Sequence, residues 1–137
     1  MKSFPLKIVT PDGLQYDGEA QELIVRTTTG DLGIMAGHVD LVAPLGMGRA
    51  TIVTAEGKRF AACIGGILTV LGGEVRLVPT TFEWADRIDV NRAADAEARA
   101  RRVLDSSASS TTDLRLAEAR LKRALVRKSV GSMSREQ

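Results

Sequence analysis

Few residues in this 137-residue chain could do chemistry, and their spacing does not assemble them. There is one histidine, His38, and one cysteine, Cys63, so a metal cluster or a histidine-based dyad would rest on a single imidazole. Neither Cys-x-x-Cys nor His-Glu-x-x-His occurs. The glycine pairs Gly65-Gly66 and Gly72-Gly73 lack the Lys-Ser/Thr that follows a phosphate-binding loop, and read as turn glycines. Asp12, Asp17, Glu19 and Glu22 cluster near the start, where turn and strand-surface roles account for them. Cys63 sits in the apolar run Phe60 to Ile64 and reads as a buried small hydrophobe; being single, it excludes an internal disulfide. The expectation is a non-enzyme with no required cofactor and no metal site.

The elements that would carry these residues change character near Asp86. Twelve of the 13 glycines and all four prolines precede that point. Phe4, Leu6 and Ile8 alternate with Pro5 and Lys7 before a Pro11-Asp12-Gly13 turn, which predicts a half-buried strand, with Pro5 suggesting an edge. Leu23 to Val25 form a second strand, and short strands recur around Val39 to Val42 and Met47 to Thr54. Glu56-Gly57 and Gly72-Gly73 are hairpin signals. Many short strands without a helical period predict an antiparallel sandwich or flattened barrel. Between Thr27 and His38 the spacing predicts a shaped loop with glycines at 30, 33 and 37, carrying Asp31, Leu32, Ile34 and Met35. Apolar groups on such a loop suggest an interaction surface, and His38 at its end serves either a local hydrogen bond or a partner contact.

From Asp89 the period becomes 3.6. Ala93, Ala96, Ala100, Val103 and Leu104 share one stripe, with Asp89 the predicted N-cap. The Ser/Thr run 106–112 breaks the helix, Thr111 or Thr112 can cap a second one, and Leu114, Ala117, Leu121, Ala124 and Leu125 form its stripe. Alanine buries little area, so docked and released states of this hairpin should lie within a few kcal/mol. The polar run from Ser129 to Gln137 is expected to fray.

Net charge is +2 but unevenly placed. Residues 86–137 carry 12 Lys/Arg against 8 Asp/Glu, while the preceding residues are slightly acidic. No aromatic follows Trp84, which disfavours base stacking and hence nucleic-acid binding by this basic half. No apolar run approaches the roughly 20 residues of a membrane helix, and the first five residues lack a signal-peptide core. The expectation is a chain that stays where it is made.

Three segments in order carry a resemblance: Gly30 to His38; Gly65 to Val70 followed by Val75 to Val78; and Ile88-Asp89-Val90-Asn91-Arg92-Ala93. Along essentially its whole length the chain resembles the ε subunits of bacterial F-type ATP synthases. The resemblance implies a β-sandwich of about ten antiparallel strands (residues 1–86) for rotor assembly, then a C-terminal α-helical hairpin (residues 87–137) for regulation. It implies a non-catalytic central-stalk subunit that helps couple proton translocation to ATP synthesis. Its sandwich would meet the γ subunit and the c-ring through Asp31, Leu32, Ile34, Met35 and His38. Asp31 stands where the family commonly has Glu, and Met35-Ala36 where Leu-Pro is common, giving a shorter carboxylate and a less rigid corner.

The resemblance further implies that the hairpin inhibits ATP hydrolysis by reaching the α and β subunits. The basic second helix, with Arg115, Arg120, Lys122, Arg123, Arg127 and Lys128, would meet an acidic segment there; a solvated face with intrahelical pairs is the alternative. The motif Ile88-Asp89-x-x-Arg92-Ala93 resembles the nucleotide-binding motif of members whose folded hairpin holds ATP. By that match Glu83, Ile88, Asp89, Arg92, Ala93 and Arg99 would line a site, with Arg123 and Arg127 as candidates from the second helix. A helix cap and surface ion pairs account for Asp89, Arg92 and Arg99 equally well. The alternative function is therefore a nucleotide-sensing module with ATP as regulatory ligand. The absence of a transit peptide points to the cytoplasmic face of a bacterial plasma membrane, with peripheral attachment through the complex.

Overall fold

The computed structural model describes residues 2–106 and 108–136, the side chains of 134–136 apart. It divides into two compact units, Met1–Trp84 and Ala85–Gln137.

The first unit has eight strands among the described residues: β1 (Phe4–Thr10), β2 (Gly13–Ala20), β3 (Glu22–Thr27), β4 (Gly30–Met35), β5 (Leu41–Pro44), β6 (Met47–Thr54), β7 (Gly57–Leu71) and β8 (Glu74–Trp84). They form one sheet in the order β2-β1-β8-β7-β6-β3-β4, with β5 also on β7. The sheet folds over on itself as a sandwich, so Leu6 and Ile8 of β1, Leu23 and Val25 of β3, Ile52 of β6 and Leu77 of β8 share one core. β1 shows why: Phe4, Leu6 and Ile8 point inward and their neighbours outward, the alternation of a strand with one face dry. Each such side chain contributes about 1.5–3 kcal/mol by leaving water.

The number of strands falls short of the expected ten because β7 and β8 are long and each serves both halves. The first part of β7 pairs with β6, and its later part, from Ile67 to Val70, pairs with β5. Gly65 and Gly66, with φ of 68° and 97°, stand between these stretches. A Cβ at Gly66 would overlap the Val78 carbonyl oxygen and Pro79, so this crossing of β7 and β8 admits no side chain. One pairing is parallel, β1 with β8 through Leu6 to Ile8, and the wholly antiparallel expectation is corrected there. Hairpin signals report neighbours in sequence, whereas this pair meets only when the sandwich closes. Pro5 accordingly lies on an inner strand, beyond the stretch that pairs with β8.

The second unit starts with a short 3-10 turn, Ala85–Arg87, followed by α1 (Val90–Leu104) and α2 (Thr111–Glu136). Asp89 caps α1 as expected: its Oδ1 accepts from the Arg92 N–H at 3.0 Å. The second cap is Ser110, one residue before the expected threonines. Ser110 Oγ accepts the Asp113 N–H at 3.1 Å, and Asp113 Oδ2 accepts the Ser110 N–H at 3.3 Å, a reciprocal capping box. Ala93 and Ala100 on α1, and Ala117 and Ala124 on α2, are buried. Leu125, expected on that stripe, is 39% exposed. α2 does not end near Lys128: it runs to Glu136, Val130 is buried, and Gly131 lies against Ile88 and Val90. Gln137, the last residue of the expected frayed end, lies outside the described residues.

Candidate functional site

The segment from Gly30 is strand rather than loop. Thr28 and Thr29 make a tight turn, and β4 pairs back on β3 from Gly30 to Met35 at the end of the sheet. Strand alternation sorts the expected contact residues. Asp31 and Met35 face outward and are exposed, whereas Ile34 is fully buried in the core and Leu32 packs against it. Ile34 is therefore a packing residue, which corrects its expected place on a contact surface. His38 follows the strand; its N–H donates to the Met35 carbonyl at 3.2 Å and its Nδ1 lies 2.8 Å from the Val39 carbonyl. The local hydrogen bond is thus made.

Asp31 has a partner that sequence reading missed. Arg26, its cross-strand neighbour, donates from Nε to Oδ1 at 2.7 Å. The bond from this guanidinium holds the Asp31 carboxyl below the usual carboxylate range and raises Arg26 further. The signal was available, since a tight turn between residues 27 and 30 places 26 opposite 31.

The outward surface of the other half of the sandwich is unusually apolar. Leu14 pairs with Val9, and Ile67 pairs with both Val78 and Pro44, so exposed apolar side chains recur on neighbouring strands from β2 to β5. Val42 and Leu71, at 69% and 70% exposure, flank a groove lined also by Asp40, Thr69, Glu74 and Arg76. A lone exposed leucine needs no explanation, but a contiguous set across a sheet marks a surface that is covered in use.

The expected nucleotide set separates into roles. Glu83 belongs to β8 of the first unit, half-buried, and the other seven residues belong to the second. Ile88 and Ala93 are buried and pack the hairpin. Asp89 is the helix cap. Arg92 and Arg99 are exposed, two turns apart on α1, and among the described residues their guanidinium groups enter no ion pair. Arg123 is exposed on α2 and Arg127 half-buried. The geometry thus leaves two cations on one helix face able to meet an anion.

The basic helix separates in the same way. Arg115, Arg120 and Arg123 are exposed. Lys122 pairs with Glu118 within the helix at 3.7 Å. Lys128 turns the other way: its ammonium lies 3.0 Å from Glu97 Oε1 on α1, while Arg101 Nε lies 3.0 Å from Oε2. The bond from Lys128 first, then that from Arg101, holds the Glu97 carboxyl below the usual carboxylate range. Lys128 is thus exposed yet already paired across the hairpin. Spacing held the clue, because Glu97 continues the Ala93–Ala100 stripe and Lys128 the Ala117–Leu121–Ala124 stripe, which puts both on the packing side.

Cys63 is buried in the core and its thiol is pushed up to about 12 by desolvation, so it is no nucleophile. Among the described residues no group of acidic, histidine or cysteine side chains could hold a metal. No described helix is long and apolar enough to cross a membrane.

A sandwich with an apolar outer face, followed by a helical hairpin with surplus outward cations, defines a protein built to be covered by partners. Comparison with known proteins agrees. Residues 3–85 match the family model "ATP synthase, Delta/Epsilon chain, beta-sandwich domain", and residues 86–130 match "ATP synthase, Delta/Epsilon chain, long alpha-helix domain". The chain is 39% identical to the ATP synthase epsilon chain of Bacillus pumilus over 130 residues, 95% of this chain and 98% of that one. It is 44% identical to that of Alkaliphilus oremlandii over 105 residues, 77% of this chain and 78% of that one. Its fold is similar to a chain of the Euglena gracilis mitochondrial ATP synthase, with TM-score 0.83 and 22% identity, covering 93% of this chain and 80% of that one. A chain of the Tetrahymena thermophila central stalk and c-ring gives TM-score 0.67 and 10% identity, covering 95% and 97%. The chain belongs to the ATP synthase delta/epsilon family. It is a subunit of the ATP synthase complex, structural and regulatory rather than catalytic.

Proposed function

We propose that this chain is a central-stalk subunit whose sandwich joins the rotor, through the γ subunit and the c-ring, and whose hairpin restrains ATP hydrolysis by contacting α and β subunits. The observation that supports it best is the match of both parts, in order, to the two domains of one family. The apolar outer face of the sandwich supplies a surface for tight assembly, and Asp31 and Met35 a second one on the edge strand. The hairpin suits a movable arm, because its seam is mostly alanine and each buried methyl-sized group contributes only about 0.8 kcal/mol. The attachment is peripheral, on the cytoplasmic face of the membrane, through the complex alone.

Truncation after Arg87 tests the division of labour. The shortened chain should still assemble with the complex, and ATP hydrolysis should rise severalfold. Unchanged hydrolysis would remove the brake from this reading, and loss of assembly would remove the separate roles.

Nucleotide sensing is a second reading, favoured by the outward Arg92 and Arg99 two turns apart on α1. Calorimetric titration of the isolated chain with ATP, beside Arg92→Ala, decides it. Heat at millimolar ATP that the variant loses supports it, and no heat from the unaltered chain rejects it.

A further inference from the structure

The β3–β4 turn brings Arg26 and Asp31 directly opposite each other. Arg26 Nε donates to Asp31 Oδ1 at 2.7 Å and Nη2 reaches Oδ2 at 3.4 Å, so one planar fork engages both carboxylate oxygens. The side chains remain 50% and 59% exposed, on and beside the edge strand β4. An exposed ion pair ordinarily fixes little, because holding a long side chain in one rotamer costs what the pair contributes. Here the stem of Arg26 already lies in a trough. A Cβ on Gly48 would stand 2.5 Å from Arg26 Cβ and 3.0 Å from its Cγ, and one on Gly46 would stand 3.4 Å from that Cγ. Neither glycine has a positive φ, so what glycine supplies at both is room. Seated this way, the guanidinium holds Asp31 in one orientation. A carboxylate accepts about four hydrogen bonds, of which the fork takes two, leaving acceptor capacity turned to solvent.

We propose that Arg26 is a positioning residue for a partner contact made by Asp31: it clamps the carboxylate so that its outward lone pairs meet a cationic or N–H donor group on the neighbouring subunit. This rests on the reading that the β4 edge faces a partner. A free Asp31 would have to be ordered at the moment of docking, whereas the clamped one is ordered beforehand. Arg26 also offsets the charge of Asp31, so docking costs less desolvation than a bare carboxylate would require.

The test is reassembly of the full-length chain with an ATP synthase preparation stripped of it, with affinity measured at two salt concentrations and thermal melting used to verify that each variant folds. Asp31→Ala should weaken assembly most, and Arg26→Ala by about three- to fivefold, the scale of an exposed ion pair. Arg26→Lys should recover part of that loss, because an ammonium pairs with Asp31 as a point charge. The exchange Arg26→Asp with Asp31→Arg remakes the internal pair but offers the partner a cation, and should stay weak. Full recovery by the exchange, or wild-type assembly of Arg26→Ala beside a weakened Asp31→Ala, would overturn the proposal while leaving the β4 reading intact. Wild-type assembly of Asp31→Ala as well would overturn that reading and the proposal together.

Discussion

Glu97 on α1 and Lys128 on α2 meet at 3.0 Å although 31 residues separate them, and Arg101 closes on the other oxygen of the same carboxylate. In a seam rich in alanine this is a polar bond that ties helix to helix.

Because hydrogen bonds from Lys128 and Arg101 hold its carboxyl below the usual carboxylate range, Glu97 favours the folded hairpin above pH ~4.3, and that contribution is lost as pH falls through its lower folded value. Helicity followed by circular dichroism should show Glu97→Gln less stable than the unaltered chain at neutral pH, with the two curves converging in acid. Parallel curves at every pH would mean that the pair does not stabilise the hairpin.

Gly131 is the lone glycine of the second unit, and packing explains it. A Cβ there would stand 2.7 Å from Val90 Cγ2 and 3.0 Å from Ile88 Cγ2. Gly131→Val should destabilise the hairpin by about 1–3 kcal/mol through overpacking, despite the better helix propensity of valine. Chemical denaturation of the full chain checks this. An unchanged or higher midpoint would show that the helix ends adjust freely.

Two glycines with positive φ separate strain from collision. Gly72, at φ 57°, has open space around it, and Gly72→Ala should cost about 1 kcal/mol. Gly66, at φ 97°, abuts the Val78 carbonyl and Pro79, so Gly66→Ala should cost about 3 kcal/mol or more, or yield insoluble protein. Equal melting temperatures for the two variants would contradict the tight crossing of β7 and β8.

Asp89→Ala should lower hairpin stability by about 1 kcal/mol by uncapping α1, and Asp89→Asn by much less, since an amide oxygen also accepts the Arg92 N–H. Thermal melts resolve the difference. Equal losses in both variants would give the negative charge, rather than the cap, the larger role.

The Cys63 thiol, buried and pushed up to about 12, should resist alkylation in the folded chain at pH 9 while reacting quickly in denaturant. A folded acid held above its unfolded value favours the native state only while protonated, so this contribution is fully present below about pH 8.5 and declines above it. Rapid labelling of native protein would show that the core opens around β7.

The change of period near Asp86, the turn residues and the alternation of Phe4, Leu6 and Ile8 are local properties of the chain, and each is expressed in an element of the expected type. Resemblance carried in three short segments led to the family that whole-length comparison establishes. Folding alone decided the rest. Strand alternation sent Ile34 into the core while leaving Asp31 out, a distinction that a loop reading erased. The parallel β1–β8 pair, the Arg26 clamp beside Gly46 and Gly48, and the turn of Lys128 towards Glu97 each join residues far apart in sequence. Backbone propensity and periodicity act within a few residues, so they fix where strands and helices form and which face is apolar. Helical spacing puts Glu97 and Lys128 on the packing side, but which distant face, cation or carboxylate then fills the opposite side depends on excluded volume and charge in the closed structure.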